Sequence, residues 1–179
     1  GVLDALRAVG TMSGPKLPVH AMGYCLGGTL LAIAAAALGR PGGVSGAADL
    51  PPLKSLTLLA AQTDFSQPGE LGLFIDESQL NLLEAQMAET GYLKASQMAG
   101  AFQMLRSYDL LWSRLVNEYL LGDRAPMNDL MAWNADATRM PAKMHSQCLR
   151  RLFLNDDLSE GRYPVGGKPV TLGDITLPT

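Results

Sequence analysis

Residues 18–32 read PVHAMGYCLGGTLLA, and this stretch decides the fold of the chain. A short apolar run of strand length, residues 17–22, comes first, and small and aliphatic residues at helical density follow the glycines. Cys25 lies between the two elements, with Gly23 and Gly27 two residues away on either side. The spacing predicts a very tight strand-to-helix turn, because a strained central residue needs small neighbours at those positions.

A turn of this kind would expose the Cys25 sulfur above the edge of a sheet as a candidate nucleophile. It would also aim the backbone N–H of Leu26 at a developing oxyanion, and the start of a helix favours thiolate over thiol. We include Gly28 with Gly23 and Gly27 as the small residues of this elbow. The alternative is a buried cysteine that falls between glycines by chance, which the position between a strand and a helix disfavours.

The composition restricts the classes of function that the chain can have. Hydrophobic residues make up 47% of the 179 residues and charged residues 17%, which is typical of a globular protein. A net charge of −3 offers no basic field, so we expect no nucleic-acid partner. No apolar run reaches the roughly 18 residues of a membrane span, so we expect no transmembrane segment. Two cysteines are too few for a disulfide scaffold and suit a reducing cytoplasm.

The pattern along the chain predicts an α/β protein with a helical insertion. Residues 53–61 form a second apolar run, and strand, helix and strand in close succession indicate a parallel sheet. We assign residues 1–65 to a core segment, residues 66–160 to a mainly helical insertion and residues 161–179 to a return to the core sheet. The last of these contains a predicted hairpin around Gly166-Gly167.

A stripe of large apolar residues runs through the insertion at spacings of three and four, with Gly122 placed to end its helix. Its members are Met98, Phe102, Leu105, Tyr108, Trp112, Leu115 and Tyr119. Such a stripe predicts a helix face buried in the core. A surface for lipid or for a partner is the alternative.

A cysteine nucleophile needs a histidine base and a carboxylate that orients it, in the chain order nucleophile, acid, base. The two histidines are His20 and His145. His20 precedes Cys25 inside the strand, which suggests a packing role. Asp64 and His145 would formally complete the order of nucleophile, acid and base. His145 lies in a helical stretch, however, whereas α/β folds with a nucleophile at such a turn supply the histidine from a loop. We therefore expect the catalytic acid and base to lie beyond Thr179.

The second cysteine, Cys148, does not lie between glycines at a strand-to-helix turn as Cys25 does. It lies in a helical stretch without glycines, so we interpret it as an ordinary packed thiol. Neither cysteine has a second ligand at a useful spacing, so we expect no metal site.

Four stretches together resemble the polyhydroxyalkanoate synthases, also called poly-β-hydroxybutyrate polymerases. They are residues 23–31 (GYCLGGTLL), 56–65 (LTLLAAQTDF), 109–114 (DLLWSR) and 130–141 (LMAWNADATRMP). The likeness covers nearly all of the chain and is greatest to the bacterial class that acts alone on short-chain substrates. This family has an α/β-hydrolase core, with a helical cap inserted before the strand that carries the catalytic aspartate.

The resemblance implies an acyltransferase that polymerises (R)-3-hydroxyacyl-CoA into polyhydroxyalkanoate, with release of coenzyme A, through an acyl-enzyme on Cys25. The Leu26 N–H would hold the oxyanion together with a second donor. The family's aspartate and histidine would fall after Thr179, so the chain would be the central fragment of a synthase and inactive alone. The family further implies a homodimer at the surface of cytoplasmic polyhydroxyalkanoate granules, with the growing polyester as a partner and no cofactor besides the coenzyme A thioester substrate.

Two other classes of function stay open from the sequence. One is a thiol hydrolase of the same fold, such as a polyester depolymerase or an acyl-CoA thioesterase. The other is an α/β domain without catalysis, in which the Cys25 thiol is buried and inert.

Overall fold

The computed structural model describes residues 1–94, 96–97, 112, 115–122, 129, 132–133, 136 and 138–179. The helices and strands that they form are α1 Val2–Ser13, β1 Val19–Tyr24, α2 Leu26–Gly39, β2 Leu53–Leu59, α3 Glu77–Thr90, β3 Tyr92–Leu93, β4 Met140–Pro141, α4 Ala142–Gln147, β5 Tyr163–Val165 and β6 Lys168–Val170. These elements belong to two compact units, the first made of Gly1–Gln67 with Arg151–Thr179 and the second of Pro68–Arg150. Within the described ranges, no helix is long and apolar enough to cross a membrane.

The first unit is built on a parallel pair of strands joined by a helix. β1 and β2 pair in parallel, with Gly23 opposite Leu58 and Tyr24 opposite Leu59, and α2 makes the crossover between them. A parallel pair needs such a crossover, because a tight turn can join only antiparallel strands. The predicted order of strand, helix and strand is confirmed, although β1 begins at Val19 rather than at Leu17. The chain is therefore a mixed α/β protein with a small parallel sheet.

Helix α2 packs against the sheet through small side chains. Every residue from Leu31 to Ala37 is buried, and the alanines among them allow the helix to approach the strands closely. A core cluster of buried aliphatic residues in this unit contains Leu6, Leu31, Ala35, Leu50, Leu53 and Leu56. Burial of one such leucine side chain contributes about 1.5–3 kcal/mol. This cluster therefore holds α1 and α2 to the sheet.

The C-terminal residues lie along the edge of β2 that β1 leaves open. The Leu56 N–H donates a hydrogen bond of 2.9 Å to the Pro178 carbonyl oxygen. Ile175 and Leu177 pack, partly buried, against the core cluster. One backbone hydrogen bond thus joins this segment to β2, and residues 171–179 contain no assigned strand.

A hairpin precedes this segment, as the sequence predicts. β5 and β6 pair antiparallel, and the two residues between them, Gly166 and Gly167, have φ angles of 59° and 78°. Two successive positive φ angles are typical of the type I′ turn, which glycine adopts without strain. The hairpin is bound to the end of α2 by the buried Arg40, whose guanidinium donates to the carbonyl oxygens of Lys168 at 2.8 Å and Val165 at 2.9 Å.

We expect Arg40→Lys to destabilise the protein by roughly 2 kcal/mol or more, since a charged hydrogen bond contributes about 1.5–3 kcal/mol. The Arg40 Nε also donates to Gly43 O at 3.1 Å. The planar guanidinium group reaches all these carbonyl oxygens at once, whereas the single ammonium group of lysine cannot. Urea unfolding measures the effect. Arg7→Lys is the matched control, because exposed Arg7 only pairs with exposed Asp4, and it should change stability by less than about 0.5 kcal/mol. Equal losses in the two variants would contradict the role of Arg40.

The second unit contains α3 and a short antiparallel ladder. Asp76 caps the start of α3 with its carboxylate, which accepts a hydrogen bond from the Gln79 N–H, and Gly91, where φ is 74°, caps its end. β3 and β4 pair only with each other, and no described strand of this unit joins the β1–β2 sheet. The described part of residues 66–160 thus contains helices, turns and two strands of two residues each.

Arg150 binds the two ends of this unit's chain together. It lies in the π-helical segment Cys148–Leu154 and donates to the carboxylates of Glu84 at 2.8 Å and Glu77 at 2.6 Å. Ser146 also donates to Glu84. The hydrogen bonds from Arg150 and Ser146 lower the pKa of Glu84 to about 2.

This shift makes the stability of the protein depend on pH. The pKa of Glu84 falls on folding from 4.5 to about 2, so its ionised form stabilises the fold above about pH 4.5, and that contribution is lost as the pH falls toward 2. We expect Glu84→Gln to lower the urea midpoint at pH 7, and the difference from wild type to shrink between pH 4.5 and pH 3. Glu89→Gln, at an exposed position on the same helix, should have little effect at either pH. A difference that is independent of pH would contradict this role.

The prediction that the apolar stripe faces inward is wrong for its described members. Trp112 is 54% exposed, Leu115 46% and Tyr119 83%. Helical spacing places residues on one face but does not determine what covers that face. The predicted end of the helix at Gly122 agrees with its φ of 71°. The other four members lie outside the described residues.

Candidate active site

Cys25 occupies the predicted turn between β1 and α2. It is exposed, and its backbone has φ 52° and ψ −125°, a conformation that is strained for a residue with a side chain. Its N–H donates to the Leu59 carbonyl at 2.9 Å, and its carbonyl accepts from the N–H groups of Gly28 at 2.9 Å and Thr29 at 3.2 Å. The prediction of a strand-to-helix turn at Cys25 is confirmed.

The close packing of this turn involves Gly23 and Gly28. A Cβ added at Gly23 would lie 2.5 Å from the Gly28 Cα, and a Cβ added at Gly28 would lie 2.5 Å from the Ala61 Cβ. A Cβ at Gly27, by contrast, would meet no atom within 4 Å. The expectation that Gly27 packs closely is therefore wrong, because the phase of the helix turns Gly28 toward the strand and Gly27 away from it.

The backbone N–H of Leu26 heads α2. As the first residue of the helix, Leu26 has no acceptor for its N–H inside the helix, and the positive end of the helix dipole lies at the same point. The Cys25 carbonyl, in contrast, is already bound by two donors of the first turn. The arrangement can therefore present the Leu26 N–H as a donor next to an exposed thiol. The role of Leu26 as an oxyanion donor stays a prediction.

The residues that follow β2, here called the exit loop (residues 60–66), lie against this turn. Thr29, which is buried in α2, donates its hydroxyl to the Gln62 carbonyl at 2.7 Å. At the other end of the loop, the Phe65 N–H donates to the Asp156 carboxylate at 2.9 Å, and the Phe65 ring contacts the Phe153 ring edge-on. Sequence analysis missed Thr29 and Asp156, and the partner of each is distant along the chain.

The two histidines and Asp64 each have local partners of their own. His20 is exposed in β1 and its Nδ1 contacts the Ser55 hydroxyl at 2.7 Å. His145 lies in α4 of the second unit, beside Met140, and burial lowers the pKa of its imidazole. Asp64 belongs to the first unit, where hydrogen bonds from the Ser66 hydroxyl and N–H lower the pKa of its carboxyl.

The environment of Cys148 differs from that of Cys25 in each respect that affects reactivity. Cys148 is buried at the start of a π-helical segment, and burial raises the pKa of its thiol. A raised pKa reduces the thiolate fraction, so this thiol is poorly reactive at neutral pH. In the part of the chain that the structure describes, no group of three or more histidine, cysteine or acidic side chains could hold a metal ion.

A strained, exposed cysteine between a parallel strand and a helix defines a candidate cysteine-dependent enzyme of the α/β class. Comparison with curated protein sequences identifies relatives of the chain. The chain is 42% identical over 178 residues to the poly(3-hydroxyalkanoate) polymerase of Methylorubrum extorquens and 42% identical to the polymerase subunit PhaC of Rhizobium meliloti, and both matches cover 99% of the chain. It is 35% identical over 167 residues to the PhaC subunit of Cupriavidus necator.

These matches confirm the resemblance that the four sequence stretches indicated: the chain is homologous to a segment of the poly(3-hydroxyalkanoate) polymerases. The chain spans about 28% of the length of the first two relatives and 27% of the third. No protein-family model matches it.

Alanine substitutions at the three elbow glycines test the packing of the turn. Gly23→Ala and Gly28→Ala should each destabilise the protein by about 1–3 kcal/mol, because the added methyl group overlaps backbone or the Ala61 methyl group. Gly27→Ala should be neutral or stabilise by up to about 1 kcal/mol, since alanine is the better helix former. Thermal unfolding of the three variants distinguishes them, and a Gly27→Ala loss as large as that of Gly28→Ala would contradict the observed helix phase.

Proposed function

We propose that the full-length protein is an acyltransferase that polymerises (R)-3-hydroxyacyl-CoA into polyhydroxyalkanoate and that Cys25 is its nucleophile. The observation that carries the proposal is the geometry of Cys25, an exposed thiol at positive φ directly before the first N–H groups of α2. The names of the homologous polymerases support the same reaction class. We further propose that β1, α2 and β2 are part of an α/β-hydrolase core and that residues 66–160 are the helical cap insertion of this family.

In the proposed first step, the Cys25 thiolate attacks the carbonyl carbon of the substrate thioester. The Leu26 N–H donates to the resulting oxyanion, together with a second donor outside this chain. The intermediate then collapses by breaking the bond to the coenzyme A sulfur, which leaves as a thiol after taking a proton. The acyl group is now a thioester on Cys25. Because one thioester replaces another, the growing chain stays activated.

The second step forms the polymer bond. The hydroxyl of a further substrate molecule attacks the acyl-Cys25 carbonyl, a histidine base takes its proton, and an ester forms as the Cys25 sulfur leaves. A catalytic histidine base needs a carboxylate that orients it, whereas the contact of His20 is with the Ser55 hydroxyl and that of His145 is with the Met140 sulfur. We therefore propose that the base and its aspartate lie outside residues 1–179 and that these residues alone are inactive.

The surroundings of the enzyme follow from the same proposal. The cycle uses the coenzyme A thioester as its substrate and needs no further cofactor. The product is an insoluble polyester, so the enzyme works in the cytoplasm at the surface of a polyhydroxyalkanoate granule. A homodimer is the proposed assembly of the full-length protein.

Substitution of each cysteine in the full-length protein tests the proposal. With (R)-3-hydroxybutyryl-CoA as substrate, Cys25→Ala should lower coenzyme A release by at least roughly 10³-fold, because removal of a nucleophile disables the whole catalytic unit. Cys148→Ala, at the buried thiol, is the matched control and should retain most of the activity. His145→Ala should also retain it.

The products distinguish the competing functions. Coenzyme A release with free 3-hydroxybutyrate and no polymer would identify a thiol hydrolase instead of a polymerase. Unchanged coenzyme A release in Cys25→Ala, with Cys25 of the wild-type protein inert to iodoacetamide, would indicate that this domain takes no part in catalysis. If His145→Ala stayed folded and lost as much activity as Cys25→Ala, His145 of this chain would be the catalytic base.

A further inference from the structure

The described residues other than glycine that have a strained backbone are linked to one another through hydrogen bonds of the exit loop. Outside glycine, positive φ angles occur within the described ranges at Cys25 (52°), Ala60 (49°) and Asp156 (48°). The Cys25 N–H donates to Leu59, the residue directly before Ala60. Asp156 accepts from the Phe65 N–H at the far end of the same exit loop. Strained residues persist only where the surrounding contacts fix them, so these contacts hold the loop and the turn in one arrangement.

Thr29 is the side chain that connects the two strained segments directly. Its N–H donates to the Cys25 carbonyl at 3.2 Å, and its hydroxyl donates to the Gln62 carbonyl at 2.7 Å. A threonine in a helix can bond its hydroxyl to a carbonyl one turn earlier, but here the hydroxyl binds the exit loop instead. Thr29 is 1% exposed, so neither group can exchange its partner for water.

We propose that Thr29 is a positioning residue for the Cys25 turn, with Asp156 anchoring the other end of the exit loop. The hydroxyl of Thr29 fixes Gln62, and the adjacent Ala61 methyl group then limits how far Gly28 can move. Because Gly28 and Thr29 bind the Cys25 carbonyl, the loop sets the direction of the first turn of α2. The inference rests on the proposed function only in that the positioned thiol is the proposed nucleophile.

Loss of the hydroxyl would leave the Gln62 carbonyl, which is only partly buried, without this donor. The loop would then relax to find another partner, and the strained conformation at Ala60 would lose one of the contacts that fix it. The first turn of α2 would shift with it, and with that turn the Leu26 N–H and the Cys25 sulfur. A shift of this kind affects the rate of the chemical step more than substrate binding.

The test compares Thr29→Val with Thr29→Ser in the full-length protein, in a Cys148→Ala background. Valine has the shape of threonine without the hydroxyl, and serine keeps the hydroxyl. Thr90→Val is the matched control, since the Thr90 hydroxyl also donates to a backbone carbonyl, that of Tyr92 at 2.8 Å, in the other compact unit. The readouts are kcat and KM for (R)-3-hydroxybutyryl-CoA, the rate of Cys25 alkylation by iodoacetamide, and the thermal midpoint.

We expect Thr29→Val to lower kcat by roughly 10²-fold with little change in KM, since a displacement of about 1 Å costs that much. The alkylation rate of Cys25 should change in the same variant, while Thr29→Ser and Thr90→Val keep wild-type values of both. A Thr29→Val protein that is less stable but has wild-type kcat and alkylation would overturn the proposal, because it would show a structural role alone. Equal effects of Thr29→Val and Thr90→Val on kcat would overturn it as well.

A second pair of variants applies if Thr29→Val does not fold. Asp156→Asn keeps an acceptor oxygen and tolerates positive φ, whereas Asp156→Ala does neither. Asp156→Ala should lower kcat and alter alkylation while Asp156→Asn retains both, and equal behaviour of the two would overturn the proposal. Failure of the proposed function is recognisable separately: Cys25→Ala would then keep wild-type activity, and the alkylation readout would still test the positioning.

Discussion

The candidate active site depends on one close backbone contact, between Gly23 at the end of β1 and Gly28 in the first turn of α2. A Cβ on Gly23 would come within 2.8 Å of the Gly27 oxygen and the Gly28 nitrogen, so only glycine permits the helix to start directly over the strand. Once the helix starts there, the single residue between the elements must reverse the chain, and Cys25 takes a φ of 52°. The geometry of the thiol is therefore set by the absence of side chains around it.

Contacts from the end of β2 and from the exit loop hold Cys25 in its strained backbone conformation. The Leu59 carbonyl holds the Cys25 N–H, the Ala61 methyl group fits against Gly28, and the Gln62 carbonyl holds the Thr29 hydroxyl. Each contact comes from a residue at or just beyond the carboxyl end of a parallel strand, which is the edge where sheets of this kind carry their sites. The loop is therefore part of the same rigid arrangement as the turn.

Sequence was sufficient for features that neighbouring residues determine. The turn at Cys25, the two strands and the hairpin at Gly166-Gly167 follow from local spacing, and the structure contains all of them. Which of two consecutive glycines faces the strand depends on the phase of α2, and the pattern alone assigned this to Gly27 instead of Gly28. Thr29 was missed because its partner lies 33 residues away. The exposure of Trp112 could not follow from spacing, since spacing does not say what covers a helix face.

The two cysteines show that the surroundings of a thiol, more than its residue type, determine its reactivity. Both are free thiols, but Cys25 is exposed in front of a helix amino terminus and Cys148 is buried, with the pKa of its thiol raised by that burial. Desolvation disfavours the thiolate at Cys148, whereas Cys25 lies exposed at the start of α2. A substrate must also reach the sulfur of a nucleophile, and of the two thiols only that of Cys25 is exposed. Reactivity and access therefore both select Cys25, from physical properties that do not depend on the homology of the chain.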